Sequence, residues 1–154
     1  MSNKCEAIKQ GTIYWLDYQT PGYPVPKTRP CVVISSTEYN RPGSDVMVCP
    51  MSSSVSRADL PCNIYVGEPI KDEPTWVKVN QVCTVTYEQL TEDNRCGELE
   101  EMYLDMVLSG IIRQFGRSDD MTIDPGELED TAEREAYMLG DSADGDEVAT
   151  YPVG

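Results

Sequence analysis

The stretch Lys27-Thr28-Arg29-Pro30-Cys31-Val32-Val33-Ile34-Ser35 decides how this chain reads, because a polar loop ending in Arg-Pro runs directly into an uninterrupted apolar run. Cys31 to Ile34 is small and rich in β-branched residues, which predicts a strand buried on both faces rather than one that alternates between core and water. Pro30 is expected to open that strand, since proline cannot donate to the interior of a ladder. Arg29 then sits just before a rigid element, with its guanidinium free to move over the loop from Asp17 to Thr28. A planar donor fork that never loses its charge suits a phosphate or a carboxylate. The plain alternative is an arginine that merely solvates a strand end.

Working outward, Gly11-Thr12-Ile13-Tyr14-Trp15-Leu16-Asp17 reads as a first strand, closed by the loop Gln19 to Pro26, whose three prolines and one glycine rule out helix and regular strand alike. After the central strand, Thr37 to Gly43 holds at most one helical turn. Asp45 to Met51 is the next apolar strand and ends in Ser52-Ser53-Ser54. Pro61 to Val66 and Thr75 to Val85 complete a set of strands spaced roughly 8–12 residues apart, as in a sandwich or small barrel. Gly97 to Gly116 is the clearest helix, with Leu99, Met102, Tyr103, Met106, Val107, Ile111 and Phe115 at helical spacing and Leu104, Leu108 and Ile112 in a second row. A helix apolar on two sides predicts that one side meets a second subunit.

A chain of 154 residues is one domain with a real core. Met1 to Gln10 has no apolar leader segment, and no window approaches the ~18 apolar residues of a membrane span, so a cytoplasmic protein with no membrane contact is expected. The six cysteines are widely spaced, mostly within apolar runs, and there is no histidine. Free buried thiols are the better reading than disulfides, and no metal site is expected. The net charge of -15 is uneven: residues 1–117 hold 11 Lys+Arg against 15 Asp+Glu, or -4, and residues 118–154 hold one Arg against 12 Asp+Glu, or -11. The expected organisation is therefore a domain over 1–117 and an acidic tail over 118–154. In the tail, Asp124 to Gly140 carries the cap, Pro and Gly signals of a helix, and disorder is expected from Asp141 onward.

The residues from Gly11 to Gly116 resemble the MazF/PemK family of toxin endoribonucleases, in the CcdB/MazF fold group. The resemblance is carried by the opening strand, Thr28-Arg29-Pro30, Pro50-Met51-Ser52-Ser53, Leu60-Pro61, Gln81-Val82-Cys83-Thr84-Val85 and the closing helix, in that order. It implies a mainly β fold, a small Src-homology-3-like barrel with a C-terminal helix. It also implies a homodimer whose groove binds single-stranded RNA, and a cognate antitoxin protein as partner. The implied reaction is sequence-specific and metal-independent, needs no cofactor, and proceeds by attack of a ribose 2′-hydroxyl on the adjacent phosphate. Carried over by position, Arg29 and Ser52 are the catalytic candidates, with Ser52 standing where the family usually has threonine. Asp17, Lys27, Ser53, Lys78, Asn80 and Gln81 are the candidates for RNA contact. A guanidinium and a hydroxyl aimed at a phosphorane stabilise its growing negative charge more than they stabilise the ground state.

The chain departs from the family pattern in the loop Gln19 to Lys27, which has no carboxylate, and at Asn80, which stands where some members have Asp. Acid-base work then falls to Arg29, Ser52, Asp17 or water, and slow or narrowly selective cleavage is expected. Lys27, Arg29, Arg57 and Lys78 are expected to form a basic patch, with Tyr14, Tyr23 and Trp76 available to stack on bases. A second function class stays open, a non-catalytic barrel of this type that binds or inhibits another protein. For the tail, two readings stand side by side: an acidic mimic that occupies the RNA groove in cis, and a solvated segment that aids solubility.

Overall fold

A computed structural model describes residues 7–116. The expected domain boundary at 117 and the tail, with the helix expected over Asp124 to Gly140, therefore lie outside the described residues, as does Cys5.

Seven antiparallel strands and one helix follow in order: β1 (Thr12–Tyr18), β2 (Lys27–Val33), β3 (Asp45–Ser52), β4 (Asn63–Tyr65), β5 (Trp76–Lys78), β6 (Cys83–Thr86), β7 (Arg95–Glu98) and α1 (Glu101–Gln114), with a 3₁₀ turn at Tyr87–Gln89. The sheet runs β4-β5-β3-β2-β1-β7, and β6 joins the first half of β3. This is the mainly β architecture with one closing helix that the residues implied.

β2 begins at Lys27, three residues earlier than expected, so Pro30 lies inside the strand, opposite Trp15 of β1. The ladder tolerates it for a visible reason. The Trp15 N–H turns away from β2 and donates to the Asn94 carbonyl at 2.8 Å, and pairing of β2 with β3 starts only at Cys31. The missing proline N–H thus faces a gap rather than a partner.

Pro50 performs the corresponding task in β3. Asp45 to Val48 pair with β6, whereas Met51 and Ser52 pair with β5. The change of partner falls at Cys49-Pro50, where a residue without an N–H costs no ladder bond. The segment Thr75 to Val85 is accordingly two strands and not one, with a turn between β5 and β6 in which the Gln81 N–H donates to the Lys78 carbonyl at 3.1 Å.

Alternation along β2 and β3 divides the apolar residues between two clusters. Ile13, Val32, Cys49, Met51, Val77 and Val107 meet on one side, and Tyr14, Leu16, Cys31, Val33, Val46 and Val48 on the other. Each fully buried side chain of this size contributes roughly 1.5–3 kcal/mol over its exposed state. The five cysteines among the described residues are free thiols.

Helix α1 starts at Glu101, because Arg95 to Glu98 are drawn into β7 beside β1. It seats Val107 fully in the first cluster, with Tyr103, Leu104, Leu108 and Ile111 partly buried around it. The expected first row is therefore divided, and Met102, Met106 and Phe115 remain exposed.

One buried polar residue ties the N-terminal segment to the sheet. Asn40 is fully buried; its amide donates to the carbonyls of Ile8 and Ser35 at 2.9 Å, and its oxygen accepts from the Ser35 hydroxyl at 2.6 Å. Burial costs this side chain little, because its main hydrogen-bonding capacity is met.

Candidate nucleic-acid interface and reaction site

Two clefts meet at Arg29 and Ser52. Both residues are held in sheet ladders: Arg29 is the third residue of β2, opposite Leu16, and Ser52 is the last residue of β3, opposite Trp76. Their backbones are fixed by these ladders, and both residues line the two clefts.

The larger cleft has a volume of about 540 Å³, and its wall includes Arg29, Ser52, Arg57, Lys78, Asn80 and Gln81. The turn between β5 and β6 delivers Lys78, Asn80 and Gln81 to the face of β3 that ends in Ser52. Tyr23 from the proline-rich loop and Asn63 from β4 complete its rim. Three cations line this cleft and no carboxylate does, in a chain whose net charge is -15. Arg57 is partly neutralised from outside, since its guanidinium donates two bonds of 3.0 Å to Asp59, and this pairing holds Asp59 below the usual carboxylate range.

Arg29 is part-buried, and its Nε is the one buried side-chain nitrogen or oxygen among the described residues with no hydrogen-bond partner. A buried donor left unpaired costs roughly 1–3 kcal/mol, and a guanidinium held in that state is poised to gain from an arriving anion. Ser52 is buried, and its hydroxyl is committed: it donates to the Ser54 carbonyl at 2.8 Å and accepts from the Ser54 N–H at 3.2 Å. To reach a ligand oxygen it has to rotate away from that carbonyl. Gln81 is anchored by the Tyr18 hydroxyl, which donates to its side-chain oxygen at 3.1 Å and leaves the amide N–H₂ for the cleft. Burial raises the Tyr18 phenol above its ordinary value and keeps that donor protonated.

The smaller cleft, about 180 Å³, lies on the other side of the same two residues. It is walled by Trp15, Pro30 and Met51 from the sheet and by Ile70, Lys71, Glu73 and Thr75 from the loop between β4 and β5, with Ser53 at its edge. Lys71 places its ammonium 5.3 Å from the centre of the Trp15 ring, a cation-π distance. Lys71 and Asp72 both take left-handed backbone conformations, with φ of 54° and 52°. Each costs a non-glycine residue about 1–2 kcal/mol.

Of the residues singled out in the sequence, Arg29, Ser52, Lys78, Asn80 and Gln81 come together at the larger cleft, and Ser53 lines the smaller one. Asp17 and Lys27 line neither. The Asp17 carboxylate is exposed and accepts from the Thr28 hydroxyl at 2.8 Å. Tyr14 is core, only 4% exposed, and Trp76 packs against Tyr65 at 5.5 Å between ring centres. Tyr14 is therefore closed to a base, Trp76 is half-buried and lines neither cleft, and Tyr23 is exposed at the larger one. Sequence reasoning passed over Trp15, Lys71 and Glu73; the signal available was Lys-Asp between two prolines at 69 and 74, which marks a tight turn. Among the described residues no cluster of three metal-ligating side chains occurs, and no helix is long and apolar enough to cross a membrane.

Comparison with solved structures returns the same fold repeatedly at low identity. The chain is similar to MazF (Form-I) from Deinococcus radiodurans, at 17% identity and a TM-score of 0.58, covering 71% of this chain and 97% of that one. It is similar to an endoribonuclease from a mycobacterial species, at 16% identity and a TM-score of 0.57, covering 74% and 96%. A third, an endoribonuclease in complex with its cognate antitoxin from a mycobacterial species, matches at 18% identity and a TM-score of 0.57, covering 71% and 96%. No curated protein sequence matches the chain. The family model described as PemK-like, MazF-like toxin of type II toxin-antitoxin system matches residues 9–115. That span takes in every described strand and the helix, and the chain belongs to the PemK-like, MazF-like toxin family of type II toxin-antitoxin systems.

Proposed function

We propose that the protein is an endoribonuclease that cleaves single-stranded RNA at restricted sequences, without a metal, by attack of the ribose 2′-oxygen on the neighbouring phosphorus. The observation that carries this is the larger cleft: three cations, a serine hydroxyl and three amides with no carboxylate, in a strongly acidic chain. Such a surface favours a polyanion and leaves base edges to the amides. It fits the family, and it fits neighbours named as endoribonucleases.

In the proposed reaction the 2′-oxygen bonds to phosphorus as the bond to the 5′-oxygen breaks, giving a 2′,3′-cyclic phosphate and a 5′-hydroxyl. Arg29 donates to the phosphoryl oxygens as their charge grows, and its unpaired Nε gains a partner only then. A guanidinium cannot act as a base at working pH, so its role is electrostatic. Ser52 adds a second donor once its hydroxyl leaves the Ser54 carbonyl. With Asp17 not lining either cleft and no histidine in the chain, water takes the 2′ proton and supplies the proton to the leaving oxygen. The working form is a homodimer, with Met102, Met106 and Tyr65 as exposed apolar surface for a second copy, and a cognate antitoxin is the natural inhibitor.

The test is incubation with a long single-stranded RNA in EDTA, with both product ends analysed. Discrete fragments bearing cyclic phosphate and 5′-hydroxyl ends are expected. Intact RNA would instead favour the alternative of a protein-binding module on the same fold.

A further inference from the structure

We infer that the smaller cleft is a nucleobase subsite, and that Glu73 and Lys71 within it select guanine next to the scissile phosphate. The inference rests on the nuclease reading for its name of substrate, but it is carried by a different set of residues.

The cleft shares Arg29 and Ser52 with the larger one. A nucleotide whose phosphate meets Arg29 therefore has its own base, or its neighbour's, within reach of this second cavity. The walls suit a flat aromatic ring, with Trp15, Pro30, Met51 and Ile70 giving apolar surface. Beyond Arg29 and the hydroxyls at its edge, the cleft carries two charged side chains of opposite sign. Lys71 is held over the Trp15 ring, and Glu73 stands two residues further along the same loop. They line one small cavity yet form no ion pair with each other, and the Glu73 carboxylate has no hydrogen-bond or ion-pair partner among the described residues.

An acceptor with no protein partner and an ammonium held only against the Trp15 ring, in one slot, are a recognition element in want of a ligand with the reverse pattern. Guanine offers that pattern on its Watson–Crick edge: two adjacent N–H donors for a carboxylate, and beside them a carbonyl oxygen for an ammonium. Adenine and cytosine offer a carboxylate only their amino group, and uracil a single ring N–H flanked by two acceptors. Single-stranded RNA is read on these edges, with stacking beneath. The loop that carries the pair is also strained, with Lys71 and Asp72 both in the left-handed region. Such strain persists where the surroundings dictate a geometry, and it concentrates at ligand sites. Thr75 fixes the base of the loop, since its hydroxyl donates to the Glu73 carbonyl at 2.9 Å and its N–H to the Gly67 carbonyl at 2.9 Å.

The test uses the full-length protein and fluorescein-labelled 2′-O-methyl oligonucleotides, which cannot be cleaved: oligo(U) alone, and oligo(U) with one central G, A or C. By fluorescence anisotropy the G-containing strand is expected to bind about tenfold tighter than the other three, the discrimination typical of a bidentate base contact. Glu73→Gln and Lys71→Met, each checked for an unchanged melting temperature, should bring that ratio to within about twofold. Equal binding of all four strands by the parent, preference for a different base, or a guanine preference that survives both substitutions would overturn the inference. Cleavage of ordinary RNA, scored in parallel, separates the two readings. Guanine-selective binding without cleavage removes the nuclease and leaves the subsite; cleavage indifferent to base removes the subsite and leaves the nuclease; no binding of any strand removes both.

Discussion

In the proposed reaction Arg29 is a site where stability and activity pull in opposite directions. Its Nε is buried without a partner, so removing the guanidinium should relieve a desolvation cost while deleting the main stabiliser of a phosphorane. Arg29→Met is expected to fold with an equal or higher melting temperature and to lose cleavage by about 10²–10³-fold, the usual loss for one preorganised donor. Arg29→Lys should recover little, since a point charge replaces a fork. Calorimetry and a cleavage assay on the two variants check both halves; a destabilised Arg29→Met would mean that the guanidinium holds the fold together. Asn40 is the opposite case, a buried polar side chain satisfied on both its oxygen and its nitrogen. Asn40→Asp keeps the shape but sets a carboxylate against two carbonyls, and a loss of about 2–4 kcal/mol in denaturant unfolding is expected. The thiols of Cys31 and Cys49 give a further sign. Burial, with neighbouring Cys83 adding to it, pushes both from 9.0 up to about 12. A group whose folded pKa lies above its unfolded one gives its full stability below the unfolded value and loses it as pH rises. Stability should therefore hold to about pH 9 and fall between pH 9 and 12, and replacing both cysteines with Ala should flatten that decline, whatever it does at pH 7.

The elements show where sequence legibility ends. β1, β2 and β3 were legible because each is a continuous or alternating apolar run between turn residues; Ser52 does end β3, whereas Arg29, expected just before its strand, lies inside β2 because the polar Lys27-Thr28-Arg29 segment pairs with β1. The Thr75 to Val85 run was not divided correctly, because Val77, Val79, Val82, Cys83 and Val85 keep strand-like composition straight through the turn. The break is dictated from outside, by β3 changing partner at Pro50. β7 was absorbed into the helix for a similar reason: Arg95 to Glu98 carry no strand pattern of their own and are strand only because β1 offers them an edge. The smaller cleft was invisible in sequence, since Trp15 and Glu73 are brought together only by the sheet. Helix α1 supplies the test at this scale. A Cβ at Gly110 would stand 3.0 Å from the Ile64 Cδ1 atom and 3.5 Å from the Val79 Cγ2 atom, so this glycine is where the helix meets β4. Its helix-propensity cost is about 1 kcal/mol, outweighed by the overpacking that a large side chain brings. Gly110→Leu is expected to lose about 2–3 kcal/mol in urea unfolding; a neutral result would show that α1 shifts freely over the sheet.

For the whole molecule, charge distribution bears on how the proposed RNA substrate would be met. A cleft with three cations and no carboxylate belongs to a chain of net charge -15, of which -11 falls in residues 118–154 and only -4 in the rest. Those 37 residues (118 to 154) lie outside the described structure, but their charge acts over a distance whatever their conformation. On the acidic-mimic reading, a tethered polyanion would compete with RNA phosphates for the same cations at a local concentration in the millimolar range, and it would also repel incoming RNA before contact. Both effects are screened by salt, with a Debye length of about 10 Å at 0.1 M. A chain ending at residue 117 should therefore cleave RNA severalfold faster than the full chain at low ionic strength, with the gap closing as salt rises toward 0.5 M. The plain alternative, a segment that only aids solubility, predicts equal rates at every salt concentration. Because truncation could alter assembly as well as charge, light scattering on both forms belongs in the same experiment. A dimer mass for each, with rates that converge in salt, isolates the electrostatic effect; rates that differ by the same factor at low and high salt would show that the tail acts by contact or by folding instead.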